Sequence, residues 1–189
     1  MGMPAQILYY TPEQYLEDEL KRTYRCEYVD GQIFAMAGAS WAHNAISLNI
    51  GGILNSHLAK SPCQTFVNDM KVNIKHAKGE SFYYPDIVVG CPSKNNHKYY
   101  LEQPLLIIEV LSESTEKIDR REKLLAYQTI SSLKEYVIVS QTEPLIEIYR
   151  RDDQNKWWKT DFVGEEIVEL KSVDLSLQMS QIYLKSGVI

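Results

Sequence analysis

The chain has 189 residues, of which 44% are hydrophobic and 11% aromatic, enough to build a core for one domain spanning residues 1–189. Its formal net charge of −5 argues against a protein that coats nucleic acid, because non-specific binding depends on neutralised phosphates. No apolar run approaches the roughly 18 residues of a membrane span, and the N-terminus lacks the order of a signal peptide. We therefore expect a cytoplasmic protein whose contacts with nucleic acid are local.

The N-terminal third predicts a helix followed by a hairpin. A helix should run from an N-cap at Thr11 to about Leu20, because proline and glutamate fill its first turn. Strand-like segments at residues 26–29 and 32–36 flank Asp30-Gly31, a strong signal for a two-residue turn. Apolar residues at helical spacing then predict a long amphipathic helix over residues 40–59.

The middle of the chain reads as strands. Candidates lie at residues 64–68, 71–75 and 83–89, and residues 105–111 form a nearly unbroken apolar run typical of a strand covered on both faces. A polar loop is predicted at residues 92–103.

The last third predicts one more helix and several strands. The helix should begin at a cap on Ser114 or Thr115 and bury one apolar side, formed by Ile118, Leu124, Leu125 and Ile130. A strand follows at residues 135–140, and a meander is expected from residues 145–150, 157–163 and 167–170. The order indicates an α/β protein, with a mixed sheet flanked by helices and extra β-hairpin or meander strands at both ends.

The three cysteines, Cys26, Cys63 and Cys91, are odd in number and far apart. This spacing suits neither a disulfide framework nor a zinc site. We expect buried thiols.

Glu109 is the most informative residue, because it is a carboxylate inside the apolar run at residues 104–111. Burying an isolated charge there would cost several kcal/mol unless a cation or another partner lies beside it. The alternative is a glutamate at a strand end that points to solvent or pairs with one lysine.

Asp86 is the second acid, since it follows Pro85 and opens the strand at residues 87–89. If this strand lies beside that of Glu109, the two carboxylates meet and suit Mg²⁺ or Mn²⁺, with water and phosphate completing the shell. Alone, Pro85-Asp86 also fits a turn that starts a strand.

The Pro85-Asp86 pair followed by a strand bearing Glu109 resembles the Pro-Asp…Asp/Glu-x-Lys pattern of the restriction-endonuclease-like superfamily. The wider pattern is similar to the Uma family of endonucleases, which is abundant in cyanobacteria, and covers about residues 10–185. It comprises Glu27-Tyr28-Val29-Asp30-Gly31, Pro85-Asp86-Ile87-Val88-Val89, Glu109-Val110-Leu111-Ser112, Thr115, Asp119, Lys123, Tyr127 and Glu135-Tyr136. The resemblance implies a metal-dependent endonuclease with a restriction-endonuclease-like sheet.

One position departs from the superfamily pattern, which has a lysine two residues after the acid where this chain has Leu111. Asp119, Lys123 and Tyr127 are spaced by four and share one face of the following helix. The resemblance implies that a lysine on this helix replaces the missing superfamily lysine. This favours Lys123, and Lys71 is a weaker candidate. An Asp-Lys pair on the surface is the alternative reading.

The resemblance also implies a ligand set. Asp86, Glu109 and the backbone carbonyl of Val110 would hold Mg²⁺ or Mn²⁺, and Glu27 would be a third acid, unless it is an ordinary exposed strand residue. His43 matches a position where the family often carries histidine, although a core or capping histidine is the better reading.

The predicted function is hydrolysis of phosphodiester bonds in nucleic acid, DNA before RNA. A catalytically inactive DNA-binding or assembly module is the main alternative, favoured by Leu111, and a glycosidase-like pair of acids is the other. Basic residues beside the site, Lys94, Lys98, Lys117, Arg120 and Arg121, could line a phosphate-binding rim or form a solvated face. Homodimerisation is expected from the family, and Trp41, Trp157 and Trp158 are candidates for its interface.

Overall fold

The computed structural model describes residues 9–76, 79–91, 97–112 and 116–189. The helices are α1 (Pro12–Glu19), α2 (Trp41–His57), α3 (Glu116–Ile118), α4 (Leu124–Gln128) and α5 (Met179–Ile182). A π-helical turn (Asp119–Lys123) joins α3 to α4, so residues 116–128 form one continuous helix, which we call the site helix. The strands are β1 (Cys26–Val29), β2 (Gln32–Ala35), β3 (Gln64–Val67), β4 (Lys71–His76), β5 (Gly79–Tyr83), β6 (Ile87–Gly90), β7 (Tyr100–Leu101), β8 (Pro104–Val110), β9 (Glu135–Val139), β10 (Leu145–Arg151), β11 (Trp157–Val163), β12 (Ile167–Leu170) and β13 (Leu175–Gln178).

The strands form three sheets. A five-stranded sheet has the order β2-β1-β5-β4-β7, a six-stranded sheet the order β11-β10-β9-β8-β6-β3, and β12 pairs with β13 alone. In the six-stranded sheet only the β8–β9 pair is parallel, because the site helix connects these two strands as a crossover. The fold is a mixed α/β arrangement, as the sequence predicted.

Each face of the six-stranded sheet packs on a helix. One face carries Leu106, Ile108 and Val110 and packs against α2 and the C-terminal elements. The other face carries Ile107 and Leu111 and packs on Tyr127 of the site helix and on the five-stranded sheet. A smaller core lies under α1. The site helix therefore lies between the two large sheets.

The predicted N-terminal elements are confirmed. Thr11 caps α1 with a reciprocal capping box to Gln14, and β1 pairs antiparallel with β2 around Asp30 and Gly31. Both turn residues have positive φ, 48° and 91°, which explains the Asp-Gly sequence. The predicted long helix corresponds to α2 and the 3₁₀ turn that follows it.

Several predicted boundaries were wrong. Residues 83–89 are not one strand, because β5 ends at Tyr83 and β6 begins at Ile87 in the other sheet. The loop at residues 92–103 contains β7, which pairs with β4. Residues 167–170 do not continue the meander, since β12 pairs with β13. Neither β13 nor α5 was predicted.

The site helix buries only part of the predicted apolar side: Ile130 is buried and Leu124 packs against the same core. Ile118 and Leu125 are 39% and 67% exposed, whereas Asp119, Lys123 and Tyr127 are buried. The predicted N-cap, Ser114 or Thr115, lies outside the described residues. The polar face is buried because acidic side chains from the strands face it.

The prediction of three thiols was also wrong. Cys63 and Cys91 form a disulfide, because Gln64 pairs with Gly90 and places the flanking cysteines side by side. Cys26 is a free, buried thiol, as expected. No helix in the described part of the chain is long and apolar enough to cross a membrane.

Candidate active site

Asp86 and Glu109 lie on neighbouring antiparallel strands, β6 and β8. Ile87 pairs with Ile108, so the next step of the register places Asp86 beside Glu109. The backbone N–H of Val110 donates to Oδ2 of Asp86 at 2.7 Å, which attaches Asp86 to the strand that carries Glu109. The two acids therefore occupy adjacent positions on neighbouring strands, where the chain passes from one large sheet to the other.

Glu109 is buried and is held by two residues of the site helix. Lys123 Nζ lies 3.1 Å from Oε1 of Glu109, and the hydroxyl of Tyr127 donates to the same oxygen at 2.9 Å. Within the described residues, no hydrogen bond engages Oε2 of Glu109. One carboxylate oxygen is thus held by the helix and the other is available to a ligand.

Lys123 is surrounded by carboxylates. Besides Glu109, its Nζ lies 3.0 Å from Oε1 of Glu27 and 3.3 Å from Oδ1 of Asp119. The lysine side chain is only 5% exposed, and the ring of Tyr83 has its centroid 5.6 Å from Nζ. The structure therefore brings Glu27, Glu109, Asp119 and Lys123 together.

The π-helical turn positions Asp119 and Lys123. A wider turn shifts the side chains around the helix axis relative to an α-helix, and such turns are frequent at functional sites. The hydroxyl of Tyr136 on β9 donates to the backbone carbonyl of Asp119 at 3.0 Å, which fixes the turn to the sheet.

His43 approaches Asp86 from the opposite side of the sheet. Its Nε2 lies 3.2 Å from Oδ2 of Asp86, and the His43 side chain is only 11% exposed. Burial lowers the pKa of His43, but the Asp86 carboxylate and the Val110 backbone raise it by more, so the pKa lies above its ordinary value. His43 is therefore in the site, although as a partner of Asp86.

Acidic groups outnumber basic groups around Lys123. Burial raises the pKa of Glu109, the Lys123 ammonium opposes this, and Asp119, Asp86 and Glu27 add to the rise, so the pKa lies well above its ordinary value. Burial lowers the pKa of Lys123, but Glu109, Glu27 and Asp119 raise it well above its ordinary value. One ammonium group thus faces the carboxyl groups of Glu27, Glu109 and Asp119.

The donor atoms suit a hard cation. In the described residues, no group of three or more His, Cys, Asp or Glu side chains is arranged to hold a metal ion. Mg²⁺, however, is commonly bound through one or two carboxylates, with water and phosphate completing its shell. Among the described residues, Val110 and His43 both contact Asp86 through Oδ2, so Asp86 and Glu109 each retain one oxygen for such an ion.

Lys71, the weaker candidate for the missing lysine, lies elsewhere. Val72 and Tyr83 pack in the same core as Tyr127, and side chains alternate along a strand, so Lys71 projects from the other face of its sheet. Its Nζ donates to the hydroxyl of Tyr84 at 3.0 Å. Leu111 is buried in the core with Tyr127, where it supplies no charge.

Three tyrosines in or beside the site were not singled out as site residues. Tyr83 lies next to Lys123, Tyr136 holds the Asp119 carbonyl, and the backbone N–H of Tyr84 donates to Oε1 of Glu27 at 3.0 Å. The tyrosine pair directly before Pro85-Asp86 was the available signal for two of them.

The predicted basic rim is only partly present. Arg120 pairs with Glu116 and with the buried Glu147, whereas Lys117 and Arg121 are exposed on the site helix. Lys98 stacks on Tyr99, with 5.0 Å from Nζ to the ring centroid. Lys94 lies outside the described residues.

The architecture is that of a nuclease-like fold. The chain is similar to a crystal structure from Anabaena variabilis described as "a putative nuclease belonging to DUF820", with a TM-score of 0.71 and 18% identity. The similarity covers 92% of this chain and 97% of that one. This level of identity establishes the fold but not the activity, which must be argued from the site.

Residues 12–180 match the Uma2 family, described as "Putative restriction endonuclease", and the chain belongs to this family. Two proteins of Synechocystis sp. are similar along most of their length. The uncharacterized protein slr1290 is 34% identical over 174 residues, which is 92% of this chain and 90% of the relative. The uncharacterized protein sll1609 is 33% identical over 158 residues, which is 82% and 88% of the two chains.

Proposed function

We propose that this protein is a metal-dependent endonuclease that hydrolyses phosphodiester bonds in nucleic acid, with DNA favoured over RNA as the substrate. The observation that carries the proposal is the buried excess of acidic groups around Lys123, beside Asp86. Buried charges persist when they are paired or bind a metal. A divalent cation would neutralise the excess, and membership of a nuclease family supports a phosphodiester as the substrate.

Asp86, Glu109 and the Val110 carbonyl would hold Mg²⁺ or Mn²⁺, and Glu27 would reach the ion directly or through water. When bound, the ion supplies polarisation of a phosphoryl oxygen and a lower pKa for water. All these ligands are oxygen atoms, which Mg²⁺ and Mn²⁺ prefer.

Lys123 would act on the substrate rather than on the metal. Its protonated Nζ lies beside Oε1 of Glu109, where it can orient the attacking water or stabilise negative charge on the phosphate. Glu27, Asp119 and Tyr127 fix the positions of Lys123 and Glu109. This arrangement would compensate for Leu111 at the superfamily's lysine position.

Cleavage of plasmid DNA, single-stranded DNA and RNA should be measured with Mg²⁺, Mn²⁺ or EDTA. We expect cleavage with either metal and none in EDTA. Asp86→Asn, Glu109→Gln and Lys123→Met should each reduce the rate at least about 100-fold, because loss of one group that stabilises the transition state costs that much. Calorimetry should show weaker Mn²⁺ binding in the first two variants.

Glu147→Gln is the matched control. Glu147, on β10, is also a buried acid and pairs with Arg120 and Lys159. Its loss should leave cleavage and Mn²⁺ affinity intact. DNA binding without cleavage, unaffected by Asp86→Ala and by EDTA, would contradict the proposal and support the inactive module instead.

We further propose a homodimer in the cytoplasm. Trp41 and Trp158 are 80% and 61% exposed, and large exposed apolar side chains are enriched at interfaces. Light scattering of the purified protein tests this. A monomer across the micromolar range, or a dimer unaffected by Trp41→Ser and Trp158→Ser, would remove these residues from the interface.

A further inference from the structure

Tyr84 connects the candidate site to a polar cluster on the far side of the five-stranded sheet. It lies between β5 and β6, directly before Pro85-Asp86, and is buried. Its backbone N–H donates to Oε1 of Glu27 at 3.0 Å, and the same oxygen lies 3.0 Å from Lys123 Nζ. The orientation of Glu27 against Lys123 therefore depends on where the Tyr84 backbone lies.

The side chain of Tyr84 is held from two directions under α1. Lys71 Nζ donates to the Tyr84 hydroxyl at 3.0 Å, and this hydroxyl donates to Oε1 of Glu19 at 3.1 Å. Lys71 is 4% exposed, and so is the Glu19 side chain. Glu19 Oε1 also accepts the backbone N–H of Cys26 at 2.9 Å, so the cluster joins α1, β1 and β4 to the segment before Asp86.

Stability alone does not explain this cluster. Apolar residues of similar volume commonly stabilise a fold as well as a buried charged pair, because desolvating the charges is costly. Hydrogen bonds, in contrast, fix direction and distance. The residue before a proline is also restricted to extended conformations, so a fixed Tyr84 ring leaves its backbone little freedom.

We propose that Lys71 and Glu19 position Tyr84, and that Tyr84 thereby orients Glu27 against Lys123. We regard Lys71, Glu19 and Tyr84 as positioning residues. Their side chains do not touch the substrate. This inference rests on the proposed function for its catalytic consequence, whereas the backbone effect is independent of activity.

Tyr84→Phe tests the proposal, and Tyr183→Phe is the matched control. The Tyr183 hydroxyl is also buried and donates to the carbonyls of Ser140 and Leu145 at 3.0 and 3.1 Å. Tyr183 directly follows α5 and packs in the core between the six-stranded sheet and α2, away from Tyr84. We expect Tyr84→Phe to speed amide hydrogen exchange at position 84 about tenfold beyond any change in global stability, and to lower kcat about tenfold at unchanged KM. Tyr183→Phe should change neither.

Variants of Glu19 and Lys71 separate positioning from folding. Glu19→Gln keeps an oxygen acceptor for the Tyr84 hydroxyl and should remain close to wild type, whereas Glu19→Ala and Lys71→Met should behave like Tyr84→Phe. If the amide hydrogen of residue 84 exchanges as slowly in Glu19→Ala and Lys71→Met as in the wild type, the proposal is wrong. If the wild-type protein cuts no nucleic acid, the proposed function fails while the exchange data still decide the positioning role.

Discussion

The Lys123 ammonium contacts three carboxylates at 3.0 to 3.3 Å and comes from a helix rather than from the strand of Glu109. Its sequence spacing from Asp119 and Tyr127 was enough to place the three residues on one helix face. The burial of that polar face could not be predicted, because it depends on Glu27 and Glu109, which are distant in the sequence. The location of Lys123 in space therefore required the fold.

Removing Lys123 should destabilise the metal-free protein. Lys123→Met leaves Glu27, Glu109 and Asp119 facing one another in a buried site, and breaking a buried pair in this way costs about 3–5 kcal/mol. Urea unfolding in EDTA measures the loss. Excess Mn²⁺ should restore part of it, whereas unchanged stability in EDTA would show that the carboxylates do not depend on the lysine.

The cysteines should differ in reactivity. Cys26 is buried and burial raises the pKa of its thiol, so the folded protein should react slowly with a thiol reagent. Denaturation without reductant should expose one thiol, and reduction should expose all three cysteines of the chain. Reduction should also lower the free energy of unfolding by about 3–4 kcal/mol, because the 28-residue separation sets the entropy of loop closure.

Because a reducing cytoplasm opposes disulfides, the prediction applies to protein purified without reductant. Three reactive thiols in the unreduced, denatured protein would contradict the Cys63–Cys91 bond.

At the scale of elements, the hydrophobic pattern located most helices and strands but not their ends. The run at residues 83–89 reads as one strand, because Tyr83 and residues 87–89 are apolar on both sides of Pro85. In the structure the segment breaks into β5 and β6, which belong to different sheets. The break could not be predicted, because each strand pairs with partners that are far away in the sequence. The β12–β13 pair was missed for the same reason.

Helix α2 packs closely enough on β3 to reverse the usual effect of a glycine substitution. A Cβ on Gly51 would lie 2.7 Å from Cγ2 of Val67, whereas a Cβ on Gly52 would meet nothing within 4 Å. Alanine is worth about 0.5–1 kcal/mol more than glycine inside a helix, and overpacking costs about 1–3 kcal/mol. Gly52→Ala should therefore stabilise the protein and Gly51→Ala destabilise it.

Urea midpoints of the two glycine variants give the comparison directly. Equal midpoints would mean that α2 and β3 separate without loss of stability.

For the whole molecule, an acidic chain must bind an anionic substrate through a few local cations. Lys117 and Arg121 are the exposed cations of the site helix, and Lys60 lies beyond the opposite end of α2 from His43. If Lys117 and Arg121 each contact one phosphate, Lys117→Ala with Arg121→Ala should reduce the slope of log Kd against log salt by about 2.

Fluorescence anisotropy with a labelled duplex in Ca²⁺ measures this slope, and Lys60→Ala is the control. An unchanged slope in the double variant would place the phosphate contacts elsewhere.

The division into two large sheets has a consequence for folding. Glu27 belongs to the first sheet, Glu109 to the second, and Lys123 to the helix between them. Contacts between such distant parts of a chain form late, because long loops must close first. A nascent or partly folded chain would thus have its acids apart and no complete site, so that any cutting activity should begin only once the last tertiary contacts are made.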